Sequence, residues 1–185
     1  MKKYNIIYAD PPWQYKDKGC KGAAEHHYNT MTIQDICNLP IKEISADNCV
    51  LFLWATYPML KEMFMVMDAW GFEYKTIGFQ WVKQSTTRNK LAFGLGRWTR
   101  SNSEPCFIGV KGKPKPIVNN IPQVVMTPIT KHSEKPNYVR DKIVKLMGDI
   151  PRVELFARKK FEGWDSWGNE IECDLNLEVI HDNNR

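Results

Sequence analysis

The feature that most constrains this chain is a short apolar run that ends in a rigid acidic turn. Residues 4–9 are dominated by isoleucine, tyrosine and alanine, and Asp10, Pro11, Pro12 and Trp13 follow directly. A short continuous apolar block predicts a β-strand that is buried on both faces. Prolines cannot continue the hydrogen-bonded ladder, because they lack the N–H donor. The pattern therefore places a carboxylate at the carboxyl end of a buried strand, where open α/β sheets bind ligands.

This turn suits chemistry on the exocyclic amine of a flat base. Such an amine is a poor nucleophile, because its lone pair is delocalised into the ring. Asp10 and the carbonyl of Pro11 can accept hydrogen bonds from its two N–H groups, and Trp13 can stack on the base. An ordinary turn followed by a core tryptophan is the alternative, because turns use Asp and Pro often. The strand before the turn and the tryptophan after it favour the functional interpretation.

The Asp10-Pro11-Pro12-Trp13 motif resembles the signature of the S-adenosylmethionine-dependent N6-adenine methyltransferases. It is similar to the family typified by the catalytic subunit of the eukaryotic messenger-RNA adenosine methyltransferase, which has bacterial and phage relatives that act on DNA. The resemblance implies that these four residues are catalytic and that S-adenosylmethionine is the cofactor. Because its sulfonium is already electrophilic, no metal is expected. It also implies a Rossmann-like α/β fold, circularly permuted, with a mostly parallel sheet and helices on both faces.

The cofactor elements implied by the resemblance lie in the carboxyl-terminal third of the chain. Lys135 and Pro136 open a predicted helix that ends at Gly148, and a helix amino terminus attracts anions. A core strand is predicted over residues 152–158, and residues 161–170 match the family's next element. Phe161 departs from the family pattern, where a polar residue often stands, so Lys160 and Phe161 carry no assignment. The cofactor-binding residues implied by the resemblance are Asp10, Lys135, Glu154, Phe156, Arg158, Asn169 and Glu170.

Two polar loops, residues 14–31 and 84–103, are predicted to face the substrate. Every charged residue from 84 to 103 is basic, and cations interleaved with aromatic residues suit phosphate and base contacts. A solvated loop is the alternative, since most runs of charged residues are solvated surface segments. With the resemblance, the substrate-binding candidates are Tyr28, Arg97, Trp98, Arg100 and Glu104. For Arg97, Arg100 and Glu104, a role in site architecture is the other possibility.

The remaining pattern predicts one methyltransferase domain over residues 1–172 and a carboxyl-terminal tail over 173–185. Apolar periodicity and turn residues predict a helix from Thr32 and a second helix over 59–70. They also predict a second buried strand over 49–55, parallel to the first, and strands over 73–83 and 104–112. Two edge strands are expected: an antiparallel one over 124–126, and one with a frayed end in the tail.

Composition limits the setting and the partners. Lys and Arg number 26 against 21 acidic residues, a net charge of +5, which permits a nucleic-acid partner without requiring one. Five dispersed cysteines without a paired motif argue against a disulfide framework and a zinc site, so we expect a reducing, cytoplasmic setting. The amino terminus lacks the pattern of a signal peptide, and no run is long enough to span a membrane.

The sequence therefore predicts methyl transfer from S-adenosylmethionine to N6 of adenine in DNA. A small basic chain without an accessory domain favours DNA, and the same reaction on RNA stays open. A non-catalytic nucleic-acid-binding subunit is disfavoured because Asp10 and Trp13 are both present, and a small-molecule or protein amine methyltransferase is disfavoured by the basic loop. A homodimer or a heterodimer is compatible with the sequence.

Overall fold

The structure is a computed structural model that describes residues 1–15, 30–87, 90–94, 96, 98–129 and 134–179. Within these ranges one sheet has seven strands, in the order β5-β3-β4-β2-β1-β6-β7. The strands are β1 (Tyr4–Ala9), β2 (Ser45–Trp54), β3 (Glu73–Gln84), β4 (Ser103–Lys111), β5 (Val124–Pro128), β6 (Arg152–Leu155) and β7 (Asp165–Trp167). The helices are α1 (Ile33–Cys37), α2 (Ile41–Ile44), α3 (Leu60–Ala69) and α4 (Tyr138–Met147).

Strand β1 lies inside the sheet, and its position determines where the site forms. It pairs in parallel with β2 on one side and with β6 on the other. Ala9, its last residue, lies opposite Leu53 of β2 and Leu155 of β6. Asp10 therefore follows at the edge where the carboxyl ends of three parallel strands meet. The pairs β3–β5 and β6–β7 are also parallel, and β4 is antiparallel to β2 and β3. The predicted mostly parallel sheet is confirmed.

Helices cover both faces of the sheet, because the strands are apolar on both sides. On one face α1, α2 and α3 pack with Ile7 and Leu51. On the other face α4 packs with Ile6, Tyr8 and Phe52. This arrangement confirms the predicted Rossmann-like architecture. Within the described ranges, no helix combines the length and the apolar character needed to cross a membrane.

Local signals in the sequence fix several element boundaries. The hydroxyl of Thr32 accepts a hydrogen bond from the backbone N–H of Asp35, as expected for a residue that caps α1. A short 3-10 turn, Tyr57–Met59, leads into α3. Gly71, with φ of 80°, ends the following turn in a conformation that glycine adopts without strain.

Two strand predictions were wrong. Strand β5 is parallel to β3, although the sequence analysis expected an antiparallel edge strand. Because β4 runs antiparallel to β3, it ends beside the start of β3, and the chain then enters β5 in the direction of β3. The tail residues 173–179 form no strand, and the edge next to β6 is β7 instead. The last tail residues, 180–185, lie outside the described ranges.

Two boundaries near the cofactor elements also differ from the prediction. Strand β6 ends at Leu155, three residues early, because Phe156 has φ of 62° and turns the chain away from the sheet. Helix α4 begins at Tyr138, so Lys135 lies before the helix and outside its first turn. The Lys135 ammonium instead contacts the carboxylate of Asp10, which follows β1.

Candidate active site

A cavity of about 700 Å³ lies at the carboxyl ends of β1 and β6. Its volume is in the range of small-molecule sites. It is lined by every residue that the sequence analysis assigned to catalysis or to the cofactor: Asp10, Pro11, Pro12, Trp13, Lys135, Glu154, Phe156, Arg158, Asn169 and Glu170. The structure thus brings together residues from the two ends of the chain.

The central contact of the cavity joins Asp10 and Lys135. The Lys135 Nζ atom lies 2.9 Å from Oδ1 and 2.8 Å from Oδ2 of Asp10. The lysine side chain is only 7% exposed, whereas Asp10 is 32% exposed. The carboxylate is therefore held in one orientation from the protein side, and part of it remains open to the cavity.

Glu104 extends this contact into a chain of alternating charges. Its Oε1 atom lies 3.0 Å from Lys135 Nζ, and its Oε2 atom lies 2.9 Å from Lys83 Nζ. Burial acts to raise the pKa of Glu104, but Lys135 and Lys83 together hold it below its ordinary value. The buried Glu104 therefore belongs to the architecture of the site, the second of its two predicted roles.

The same charges determine the ionisation of Asp10 and Lys135. Burial acts to lower the pKa of Lys135, but the two carboxylates raise it above its ordinary value, so the ammonium keeps its proton. Burial raises the pKa of Asp10, and the attraction of Lys135 opposes this rise. A raised pKa makes the Asp10 carboxylate a better proton acceptor than an exposed aspartate.

Both expected amine acceptors keep free lone pairs. An ionised carboxylate offers about four acceptor positions, and Lys135 is the only described donor bound to Asp10. The carbonyl of Pro11 accepts a hydrogen bond from the backbone N–H of Trp13 at 2.9 Å and retains its second lone pair. Asp10 and Pro11 can therefore each accept one hydrogen bond from an amine.

Trp13 is packed more tightly than an open stacking platform. It is 4% exposed, and its indole N–H donates to the carbonyl of Trp54 at 3.1 Å. It still lines the cavity wall, beside Pro11 and Pro12. Stacking of Trp13 on the substrate base stays a prediction, and its packing in the core is what the structure establishes.

Glu154 forms a buried ion pair that sequence reasoning missed. Its Oε2 atom accepts from Nε of Arg140 at 2.6 Å, and its Oε1 atom accepts from Nη2 of the same guanidinium. The guanidinium carbon lies 3.8 Å from the ring centroid of Phe161 and 5.2 Å from that of Tyr8. The signal in the sequence was the spacing of Arg140, Ile143 and Met147, which places an arginine on the apolar stripe of α4.

The opposite wall is formed by the turn after β6 and the segment after β7. The carbonyl of Trp167 accepts a hydrogen bond from the backbone N–H of Ala157 at 2.9 Å. A Cβ atom at Gly168 would lie 2.1 Å from the carbonyl oxygen of Ala157, so only glycine allows this approach. The exposed Arg158 and Glu170 come within 3.7 Å of each other. This wall therefore presents both hydrogen-bond donors and hydrogen-bond acceptors.

The predicted substrate residues do not all share this cavity. Trp98 is 99% exposed and Arg100 is exposed, and both lie in the loop between β3 and β4, outside the cavity lining. The Arg100 guanidinium carbon lies 4.6 Å from the ring centroid of Phe93. Tyr28 and Arg97 lie outside the described residues, so their roles stay predictions.

The charged lining is balanced and suits a ligand with charges of both signs. Five acidic and five basic residues line the cavity: Asp10, Glu104, Glu134, Glu154 and Glu170, with Lys83, Lys135, Arg140, Arg158 and Lys159. A polyanion such as a nucleic-acid backbone would prefer a basic surface. S-adenosylmethionine, with an ammonium, a carboxylate, a sulfonium and a ribose, fits this donor and acceptor set. In the described part of the chain, no cluster of acidic, His or Cys residues is arranged to hold a metal.

The fold and the site together define a Rossmann-like methyltransferase. More particularly, the chain belongs to the MT-A70 family, whose profile matches residues 4–170. This match confirms the family and the adenine-N6 methyltransferase class predicted from the motif that begins at Asp10.

Several known proteins are similar to most of the chain. Type II methyltransferase M.MunI from Mycoplasma sp is 37% identical over 190 residues, which cover 92% of this chain and 78% of M.MunI. The N(6)-adenosine-methyltransferase catalytic subunit METTL3 from Homo sapiens is 27% identical, and the match covers 93% of this chain and 29% of METTL3. The N(6)-adenine-specific methyltransferase METTL4 from Homo sapiens is 29% identical, over 92% of this chain and 38% of METTL4.

The lowered pKa of Glu104 predicts a pH-dependent stability. A carboxylate whose pKa is lower in the folded state adds stability above its ordinary pKa of about 4.3, and this stability is lost as the pH falls through the folded value. We expect wild type to be more stable than Glu104→Gln near pH 7, and the difference to shrink below about pH 4.3. Urea unfolding followed by tryptophan fluorescence at several pH values measures it. A difference in stability that stays constant down to pH 3 would contradict the pairing of Glu104 with Lys135 and Lys83.

Proposed function

We propose that this protein transfers a methyl group from S-adenosylmethionine to N6 of adenine in DNA. The observation that carries the proposal is the partly exposed Asp10 carboxylate, held by Lys135 beside the Pro11 carbonyl at the wall of the cavity. Similarity to Type II methyltransferase M.MunI, which this chain matches over most of both lengths, supports it.

The roles of the turn residues follow from their free acceptors. Asp10 and the carbonyl of Pro11 accept the two N–H groups of the adenine amine, which draws the amine toward a pyramidal geometry and frees its lone pair. Pro11 and Pro12 fix the backbone, so little freedom is lost when the base binds. As N6 gains its methyl group it releases a proton, and Asp10 is positioned to accept it.

The cofactor is proposed to occupy the cavity lined by Lys135, Glu154, Phe156 and Arg158. When bound, the sulfonium supplies an electrophilic methyl group, so the protein needs to provide position and electrostatic surroundings. Asn169 and Glu170, together with Arg158, offer the donors and acceptors that a ribose diol requires. The narrow approach at Gly168 keeps this segment close to the turn after β6.

The loop between β3 and β4 is proposed to contact the nucleic acid. Its charged residues before Glu104 are all basic, and Trp98 and Arg100 are exposed. Adenine in a duplex must leave the base stack to bring its amine to Asp10. Exposed cations and aromatic rings of this loop can hold the backbone and the neighbouring bases while it does so.

The same reaction on RNA is the second candidate. It is favoured by the similarity to METTL3, whose name describes an N(6)-adenosine methyltransferase. The match covers less than a third of METTL3, so the substrate of that longer protein is weaker support for this chain than the similarity to M.MunI.

Substitution of Asp10 tests the proposed chemistry. We expect Asp10→Asn to lower methyl transfer by about 100-fold or more, because an amide keeps only one acceptor oxygen, which Lys135 can occupy, and it cannot take up the proton that N6 releases. The measurement uses labelled S-adenosylmethionine with separate DNA and RNA pools, followed by digestion and detection of N6-methyladenine. Asp68→Asn, on the exposed side of α3, is the matched control and should retain wild-type activity. Near-normal product from Asp10→Asn would refute the assignment, and product only in the RNA pool would replace DNA as the substrate.

Intrinsic fluorescence tests the loop. Trp98 is almost fully exposed, whereas the other six tryptophans are buried or half-buried, so acrylamide should quench mainly Trp98. We expect duplex DNA to reduce acrylamide quenching in wild type, because Trp98 becomes covered by the nucleic acid. The Trp98→Phe variant should lack this DNA-dependent change. Quenching of wild type that is the same with and without saturating DNA would show that this loop is not part of the contact.

A further inference from the structure

Lys135 has no hydrogen-bond donor left for a ligand. An ammonium carries three N–H groups, and three carboxylate oxygens lie within 3.0 Å of Lys135 Nζ, two from Asp10 and one from Glu104. An anionic group of a bound molecule would have to displace one of these buried partners. A carboxylate in the cavity therefore needs a different cation.

Arg140 is the cation in the lining that combines burial with unused donors. A guanidinium carries five N–H groups. Two of them donate to Glu154, and a third approaches Oδ1 of Asn137 at the long distance of 3.5 Å. For the other two, no acceptor is present among the described residues. Phe161 and Tyr8 lie against the guanidinium, so these donors are directed along its edge.

Glu154 supplies the complementary half of the arrangement. Each of its carboxylate oxygens accepts one hydrogen bond from Arg140 and keeps a further lone pair. The pair is buried, neutral as a unit, and part of the cavity wall beside Asn137. Free donors and free acceptors therefore stand side by side, which is the pattern that an α-ammonium carboxylate requires.

We propose that Arg140 and Glu154 together bind the amino-acid end of the cofactor, with the guanidinium taking its carboxylate and Glu154 taking its ammonium group. Arg140 is then a binding residue that neither the motif nor the resemblance indicated. A neutral ion pair accepts a zwitterion without leaving an unpaired buried charge. This assignment rests on the proposed function, because it requires S-adenosylmethionine in this cavity.

Calorimetric titration with two ligands tests the proposal without measuring activity. S-adenosylhomocysteine carries the amino-acid end, and 5′-methylthioadenosine has the same nucleoside thioether without it. We expect Arg140→Met to weaken S-adenosylhomocysteine by about tenfold or more, as for the loss of a hydrogen bond to a charged group. Binding of 5′-methylthioadenosine should stay within about twofold of wild type, since fewer contacts change. Arg140→Lys keeps the positive charge but lacks the planar guanidinium, so its affinity for S-adenosylhomocysteine should lie between those of wild type and Arg140→Met.

Arg152→Met is the matched control. Arg152 is an arginine of β6 with the same 10% side-chain exposure as Arg140, and it does not line this cavity. Its substitution should change the affinity for neither ligand. If Arg140→Met is unstable, Arg140→Lys gives the same comparison, and binding of 5′-methylthioadenosine reports an intact cavity.

The outcomes separate the two proposals. Equal weakening of both ligands by the Arg140 variants, or no weakening of either, would overturn the role of Arg140 and leave the proposed function intact. Failure of wild type to bind either ligand would overturn the proposed function, and the role of Arg140 with it.

Discussion

The site depends on one buried lysine. Lys135 precedes α4, Asp10 follows β1 and Glu104 lies in β4, so one ammonium joins three segments that are distant in sequence. Breaking a buried ion pair by removing one partner costs about 3–5 kcal/mol, because the remaining charge is left without compensation. Removing Lys135 would leave two such carboxylates. The orientation of Asp10, and hence the position of any amine it holds, follows from this contact.

The charge distribution differs between the cavity and the loop that joins β3 to β4. Inside the cavity, basic and acidic residues are equal in number, and Lys135 and Arg140 each form ion pairs with acidic residues. On the loop between β3 and β4, basic and aromatic side chains are exposed. A zwitterionic cofactor suits the first environment and a polyanion suits the second. The turn at Asp10 lies at the wall of the cavity, where two such ligands could meet.

Sequence reasoning succeeded where the signal was local. The buried strand before Asp10, the helix that begins at Thr32 and the helix over 59–70 each depend on residues that are close in sequence, and all were found. The direction of β5 was missed because apolar alternation does not encode strand direction, which the path of β4 decides. The early end of β6 was missed because an apolar run does not predict the positive φ of Phe156. Lys135 was identified through the family resemblance, but its contact with Asp10 spans 125 positions and only the fold reveals it.

The most direct test is a crystal structure of the protein with a bisubstrate compound that joins N6 of adenosine to a cofactor analogue. The expected result places N6 within about 3.2 Å of an Asp10 carboxylate oxygen and of the Pro11 carbonyl oxygen. Lys135 should remain bound to Asp10 in that complex. A structure in which N6 lies beyond hydrogen-bond reach of Asp10, or in which the adenine binds outside the cavity, would contradict the proposed mechanism.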